Sequence, residues 1–543
     1  MREFAFAAAI MAIGGAAAAQ EDLDRYQTYV QTPAVSARYG DVTIKLDGPA
    51  LVSGHTTLTN QQDLEAFLAS AARGAKQLVL GSLGKSQQGR DIPYVVATAE
   101  GHASTADIRA LGRPVVWLIG QQHGNEPAGA EAMLAVVSAL AGGELAALLD
   151  RVTVVVVPRA NPDGAAAFRR DTANGLDVNR DHLLMLLPET KALRTAMNAL
   201  PPDVVLDAHE FTVANRWLTK FGAIQAVDAL LLEATHPNVR GEVTALARTL
   251  FRPQIEAALK AHGLSSFDYY TTTLESADKV VSMGGNAPGT ARNAFGLHNA
   301  VSFLIESRGV GLDMAGIQRR VATHYLAARA VLETAAVHAA ELRAATAAAR
   351  RAVASEPRAI VIAHRLATNS VTLPFLDPVT GEPRPTDVTF RDSRAATATV
   401  ARARPAGYLV PGLHDEALAT LHLNGIAVCR LAEAADLAVD GFVVTERPPK
   451  VAREAINPDQ FVKVEIRRRQ LSVPAGTHYV PMAQPGGTMA AMGLEPDSPG
   501  SLVGVGLIPL PAEASEVPIY RVEAAIGARL LPVETADGAI CGR

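Results

Sequence analysis

The strongest constraint on this chain is a rhythm of short apolar runs separated by helical stretches. Between Leu64 and Arg343, the runs around Leu78 (QLVL), Val95 (IPYVVATA), Trp117 (VVWLIG), Val155 (VTVVVV), Leu206 (VVLDA) and Leu304 (SFLIE) each read as a buried strand. They are nearly continuous rather than alternating, as strands covered on both faces are. Residues 128–140 and 242–261 instead repeat apolar side chains at helical spacing. Strands alternating with helices specify an α/β domain with a mixed, mostly parallel sheet flanked by helices. Such sheets bind ligands at the carboxyl ends of their strands. From Ile317 to Ser355 there is neither Pro nor Gly, which predicts one or two helices closing the domain.

After Glu356-Pro357 the texture changes to frequent Pro and short Val/Thr-rich runs: IVIAH, VTLPFL, VTFRD, TATVARARP, FVVTE, FVKVEI. This predicts a smaller β-rich domain over 356–543, with one helix around 415–423. At the other end, residues 1–19 have the form of an export signal: Arg2, a small apolar stretch from Phe4, and Ala17-Ala18-Ala19 before Gln20. The expectation is a periplasmic or secreted protein, with 20–355 as its first domain. No later segment offers about twenty uninterrupted apolar residues, so no transmembrane segment is expected. The net charge of −5, from 50 basic and 55 acidic residues, leaves no electrostatic footprint for nucleic acid. Two cysteines, Cys429 and Cys541, are too few for a four-cysteine zinc site, and whether they pair is open.

The chemistry concentrates at strand ends. VVWLIG runs into GQQHGNEPAG, placing His123 and Glu126 three residues apart just past a strand. Imidazole and carboxylate are ordinary zinc ligands, although this spacing alone would describe any polar loop. VTVVVVP runs into NPDG, followed by FRRDTANGLDVNRD with Arg170, Asp177, Asn179 and Arg180. VVLDAHE ends at His209, a possible third ligand, and SFLIESRG puts Glu306 at another strand end. Two His and one Glu leave a coordination position open, the catalytic rather than the structural zinc pattern. A separate carboxylate at a strand end is what activation of a metal-bound water requires.

In that order HGNE, NPDG, NGLDVNRD, DAHE and LIESRG, with LGKSQQGRDIPYVVA upstream, resemble the zinc metallocarboxypeptidase family, the carboxypeptidase A-like group, over roughly residues 60–345. Segments such as LEPDSPGSL further resemble the C-terminal extensions of some bacterial exported members. The resemblance implies the zinc carboxypeptidase fold over 20–355 and one Zn2+ per chain held by His123, Glu126 and His209. It implies Arg170 as the group that polarises the scissile carbonyl, and Asn179 and Arg180 as holders of the substrate's terminal carboxylate. Glu306 would be the general base and acid. The activity implied is hydrolysis of the C-terminal peptide bond, through a zinc-activated water, of peptides with a free C-terminus. Asp177 is expected to accept the second ring N–H of His123. The C-terminal domain is expected to rim the active-site cleft.

The chain departs from the family in places. Asn125 stands where the best-known members carry an arginine, and Thr172 replaces the first Asn of the arginine-to-arginine motif. The stretch SMGGNAPGTARNAFG lacks the family's mobile tyrosine. That Gly-rich run reads as a loop at the pocket mouth, with Arg292 or Asn293 facing substrate. The rival within enzymes is the zinc amidohydrolase group that deacylates N-acyl amino acids, the aspartoacylase- and succinylglutamate desuccinylase-like proteins, which share an HGNE-like start. NPDG and the full NGLDVNRD favour the peptidase.

Overall fold

The computed structural model describes residues 27–541 apart from 53, 55, 274–277, 448–460 and 534–537; the export signal expected over 1–19 lies outside the described residues. Up to residue 310 the described strands are β1 (Leu78–Lys85), β2 (Asp91–Ala97), β3 (Val115–Gly120), β4 (Thr153–Val157), β5 (Val204–Thr212), β6 (Ile224–Gln225), β7 (Ala229–Glu233), β8 (Ser266–Asp268), β9 (Val280–Ser282) and β10 (Val301–Val310). Eight of them make one sheet in the order β1-β2-β4-β3-β5-β10-β7-β8. Its centre, β4-β3-β5-β10, is parallel; β1, β2 and β7 join antiparallel.

The apolar runs fold this way because both faces of the sheet are covered. Val116, Leu118, Val154, Val156 and Leu206 pack under the helices Ala128–Leu140 and Ile317–Val337. The alternate residues Trp117, Ile119, Val155, Val157 and Val205 pack against Leu193, Met197 and Phe295 on the helices Pro188–Ala199 and Ala291–Leu297. β1 lies at the edge and is only partly covered. The long Ala/Arg-rich stretch is two helices, with a non-helical His338 between Val337 and Ala339. The helix expected over 242–261 is interrupted by a π-turn at Ala247–Phe251. Pro253, just beyond, has no N–H to donate back, and a wider turn absorbs the missing bond.

After residue 355, β11 (Ile360–Leu373), β12 (Phe375–Leu376) and β13 (Thr386–Arg402) join strands of the preceding part: β13 pairs with β9, and β12 with β6. β14 (Gly407–Val410), β15 (Cys429–Leu431), β16 (Ala435–Glu446), β17 (Lys463–Val473), β18 (His478–Pro481), β19 (Glu516–Val522) and β20 (Leu530–Pro532) form a seven-stranded sheet. The helix Asp415–Leu423 lies where its pattern predicts. This sheet shares its core with the preceding part: Tyr408, Val480 and Met489 cluster with Leu183, Leu184 and Leu297. Cys429 and Cys541 are joined as a disulfide across 112 residues.

The two parts also meet through charge. Glu233, at the end of β7, is fully buried and accepts from Arg394 of β13 at 2.7 and 3.0 Å and from Arg248 at 2.6 Å. Burial alone would raise its carboxyl, yet Arg394 and then Arg248 bring it down to about 2. The stabilisation is therefore complete above an unfolded value near 4.5 and is lost as pH falls toward 2. Arg394→Met, which strands part of that charge, is expected to cost about 3 kcal/mol at pH 7. The gap to the parent protein should narrow below about pH 4 as Glu233 becomes protonated. Calorimetric melting against pH checks this; a constant gap would show that the pair does not carry the linkage.

Candidate active site

β3 ends at Gly120, and the chain turns at Gln121, whose φ of 49° is left-handed. That conformation is uncommon for a side chain larger than glycine and is held by local bonds. Gln121 Nε2 donates to Gly124 O at 2.9 Å, and Arg159 Nε donates to Gln121 Oε1 at 2.7 Å. The next turn closes with Glu126 N donating to His123 O, so both side chains converge. His209 arrives from within β5, which continues to Thr212 rather than ending at the histidine as its apolar run suggests. The Nδ1 atoms of His123 and His209 lie 3.0 Å apart, and each is 2.9 Å from one oxygen of Glu126. The three groups are buried and offer ligand atoms within 4.8 Å of one another.

The other ring nitrogens point outward to carboxylates: His123 Nε2 to Asp177 at 3.1 Å and His209 Nε2 to Asp207 at 2.8 Å. Carboxylates on the far nitrogens fix the tautomers so that both Nδ1 lone pairs face Glu126, which is the arrangement a bound metal needs. The cluster also favours positive charge. Burial opposes a charged His209, but Asp207 and Glu126 raise it well above the usual histidine range. Burial likewise opposes the Glu126 carboxylate, and the two imidazoles hold it well below its usual range. The donor set thus fits a zinc ion.

The motifs are physically joined. Gly124 and Gly164 touch backbone to backbone; a Cβ on Gly124 would lie 1.9 Å from Gly164 C. Asn161 accepts from Gly164 N and donates to Gln122 O and Arg170 O, so NPDG carries the Arg170 loop to the HGNE turn. Asp163 accepts from Ser86, Gln88 N and Arg90, which brings in the upstream LGKSQQGR segment. Beneath the cluster, buried Glu210 accepts from Arg320 at 2.7 and 3.0 Å, from Ser307 Oγ and from Ala128 N. Gly309 is required here, since its Cβ would fall 1.7 Å from Glu210 Oε1.

Glu306 stands in register with His209 on the parallel pair β5 and β10, so both side chains leave the same face. Burial, and then the charge of Glu126, push the Glu306 carboxyl up to about 8. Arg170 turns inward and donates twice to Asp177 Oδ2, at 3.2 and 2.8 Å, with Nη1 3.4 Å from Glu126. Its neighbour Arg169 is exposed. Asn179 Oδ1 accepts from Ala291 N, and its Nδ2 lies 3.2 Å from His209 Nε2. Arg180 is 43% exposed, with Nη1 bonded to Asn179 O. Glu306, Arg170, Asn179 and Arg180, with His123, Glu126 and Asn125, line one cavity of about 610 Å3; His209 lies in the cluster with His123 and Glu126.

The Gly-rich run supplies Arg292 to that cavity. Asn293 turns away, its Oδ1 accepting from Thr235 N and His236 N. Tyr269 was not legible as a site residue, yet it lines the cavity, and burial followed by the charge of Glu306 raises it to about 12. It follows a three-residue strand, β8, too short for a pattern to show. His182 is packed against Phe295 and bonded to Gln122, away from the cavity. From beyond residue 355, His364, Phe461, Asp497 and Pro499 complete the wall.

Residues 64–270 match the zinc carboxypeptidase family, Peptidase_M14. Carboxypeptidase 2 of Trichophyton tonsurans is 27% identical over 524 residues, which covers 94% of this chain and 97% of that protein. Carboxypeptidase 2 of Trichophyton rubrum is 28% identical over 470 residues, covering 86% and 87%. A solved metallo-carboxypeptidase from Burkholderia cenocepacia is 19% identical, with a TM-score of 0.41 over 57% of this chain and 83% of that one.

The support behind His209 has a measurable consequence. Asp207→Asn removes the carboxylate that fixes the imidazole while keeping its shape, and is expected to weaken zinc binding about 10-fold or more. Competition with a chromophoric chelator reads this directly; unchanged affinity would mean that Asp207 does not orient the ligand.

Proposed function

Carrying a zinc carboxypeptidase domain, this chain is a metallocarboxypeptidase, and we propose that His123, Glu126 and His209 hold one zinc and that Glu306, Arg170, Asn179 and Arg180 do the remaining work. The single observation that carries the reading is the buried His–Glu–His cluster with Glu306 in register beside it, facing one cavity. Bound there, zinc supplies a Lewis acid that polarises a carbonyl and acidifies water. Glu306 takes the proton of the attacking water and returns it to the leaving amine. Arg170 donates to the carbonyl oxygen as negative charge develops. Arg180, exposed within the cavity, offers a planar fork to the substrate's terminal carboxylate, with Asn179 beside it.

We place a catalytic unit over 20–355 and a β-rich unit over 356–543 that walls the cleft, which limits access to short or unfolded chain ends. The helix end at Ser355 and the lining by His364 and Phe461 support this division. Export to the periplasm or outside the cell accords with the signal-like first residues and the Cys429–Cys541 disulfide, since such bonds persist in oxidising compartments. Among the described residues no helix is long and apolar enough to cross a membrane.

The test is mass spectrometry of peptides with free and amidated C-termini, together with N-acyl amino acids, with and without a chelator. Chelator-sensitive loss of single residues from free C-termini alone is expected; deacylation of the amino acids instead would make the protein an amidohydrolase. Glu306→Gln should retain zinc and lower kcat about 1,000-fold. Near-normal turnover would remove Glu306 from the proton-transfer role. Arg180→Ala should raise KM about 10- to 100-fold with a smaller effect on kcat. An unchanged KM would place the carboxylate elsewhere.

A further inference from the structure

Arg292 is the second residue of the helix Ala291–Leu297, whose first N–H is held by Asn179 Oδ1 at 2.8 Å. The helix is thereby fixed to the residue beside Arg180. Arg292 is only 4% exposed and lines the active-site cavity. Its Nη2 donates to Gly285 O at 2.6 Å, and its Nε has no hydrogen-bond partner among the described residues. Among those residues, no carboxylate comes within ion-pair distance of it; the groups whose charge it feels are Tyr269, Arg180, Glu306 and Glu233. Arg320 and Arg521 are matched by Glu210 and Glu495, whereas Arg159, Arg194 and Arg308 are as deeply buried without a carboxylate partner among the described residues; Arg292 differs from those three in lining the cavity.

Burying a guanidinium with unmade bonds and no counter-ion is costly. An unmatched charge of this kind in a cleft marks a place where a ligand completes the pairing. Of the arginines lining the cavity, Arg170 is paired with Asp177 and Arg216 donates to Thr272 O, which leaves the exposed Arg180 and the buried Arg292 to meet a ligand's anions. A single α-carboxylate satisfies one fork, and a second cation at depth calls for a second anion on the same residue. The carboxylates lining the cavity are not free for a basic side chain. Glu126 is in the metal cluster, Glu210 is taken by Arg320, Asp497 by Arg402, and Glu306 faces the scissile bond. An apolar side chain would leave Arg292 Nε without a partner and the guanidinium without a counter-ion.

Resting on the carboxypeptidase reading above, we propose that Arg292 is the specificity determinant of the site, receiving the side-chain carboxylate of a C-terminal Glu or Asp. The preferred substrate is then a peptide whose last residue carries two carboxylates, one on Arg180 and one on Arg292.

The full-length zinc enzyme is assayed on peptide sets that differ only in the last residue: Glu, Gln, Leu or Lys. The expected result is kcat/KM for Glu at least about 100-fold above Gln, because a site built around a charged bond rejects its neutral isostere strongly. Arg292→Gln should bring that ratio below about 10, through loss on the Glu peptide, and Arg292→Glu should turn the preference toward Lys. Preference for Leu or Lys by the parent enzyme would overturn the proposal. So would an equal slowing of the Glu and Gln peptides by Arg292→Gln, which would put Arg292 on the α-carboxylate. A second measurement separates this from the catalytic reading: calorimetric binding of free glutamate and glutamine to Glu306→Gln protein, with and without Arg292→Gln. Tighter glutamate binding that depends on Arg292 supports the subsite even if no peptide is cleaved, and equal binding of the two overturns it.

Discussion

One buried carboxylate organises the catalytic half of the molecule. Glu210 takes both forks of Arg320, the hydroxyl of Ser307 and the first N–H of the helix that follows Glu126. Its four bonds join β5, β10 and two helices at a point one residue from His209 and one residue from Glu306. A charge this deep is tolerated because every lone pair is used, and removing a partner would leave it costly. The absence of a side chain at Gly309 is part of the same arrangement, because the carboxylate occupies the space a Cβ would need. The candidate ligand His209 and the candidate base Glu306 therefore inherit their spacing from one buried ion pair.

Much of the site was legible because its residues follow strands that announce themselves. His123, His209 and Glu306 all lie at or just past the carboxyl ends of buried apolar runs, where such sheets place function. What could not be read was the part assembled across distance. Tyr269 follows a strand of three residues, and in the Gly-rich segment the sequence offers Arg292 and Asn293 as alternatives without deciding between them. Each reaches the cavity through packing that has no local signature. The choice between Arg292 and Asn293 is made by hydrogen bonds to Thr235 and His236, residues some 58 positions away.

The fold divides in the same way. Central strands β3, β4, β5 and β10 carry unbroken apolar sequence because helices cover both faces. The strands β8 and β9 and most of the later short strands depend on partners far along the chain. β9, for example, exists as a strand because β13 runs beside it. The apparent change of texture at Glu356 is real in composition, yet Leu183, Leu184 and Leu297 share a core with the second sheet. Composition marks where the helices stop and hairpins begin, and it carries no information about which apolar surfaces will meet.

The position of β10 has a consequence for how such an enzyme comes into being. It is the last strand of its sheet to be synthesised, yet it lies between β5 and β7, both made much earlier. Those two cannot be hydrogen-bonded neighbours in the finished sheet, so a gap must stay open, or reopen, for β10 to insert. Such long-range closure is slow relative to local folding. The strand that fills the gap also brings Glu306. A nascent or half-folded chain can thus gather its candidate metal ligands while still lacking Glu306, and the candidate site is complete only with closure of the sheet.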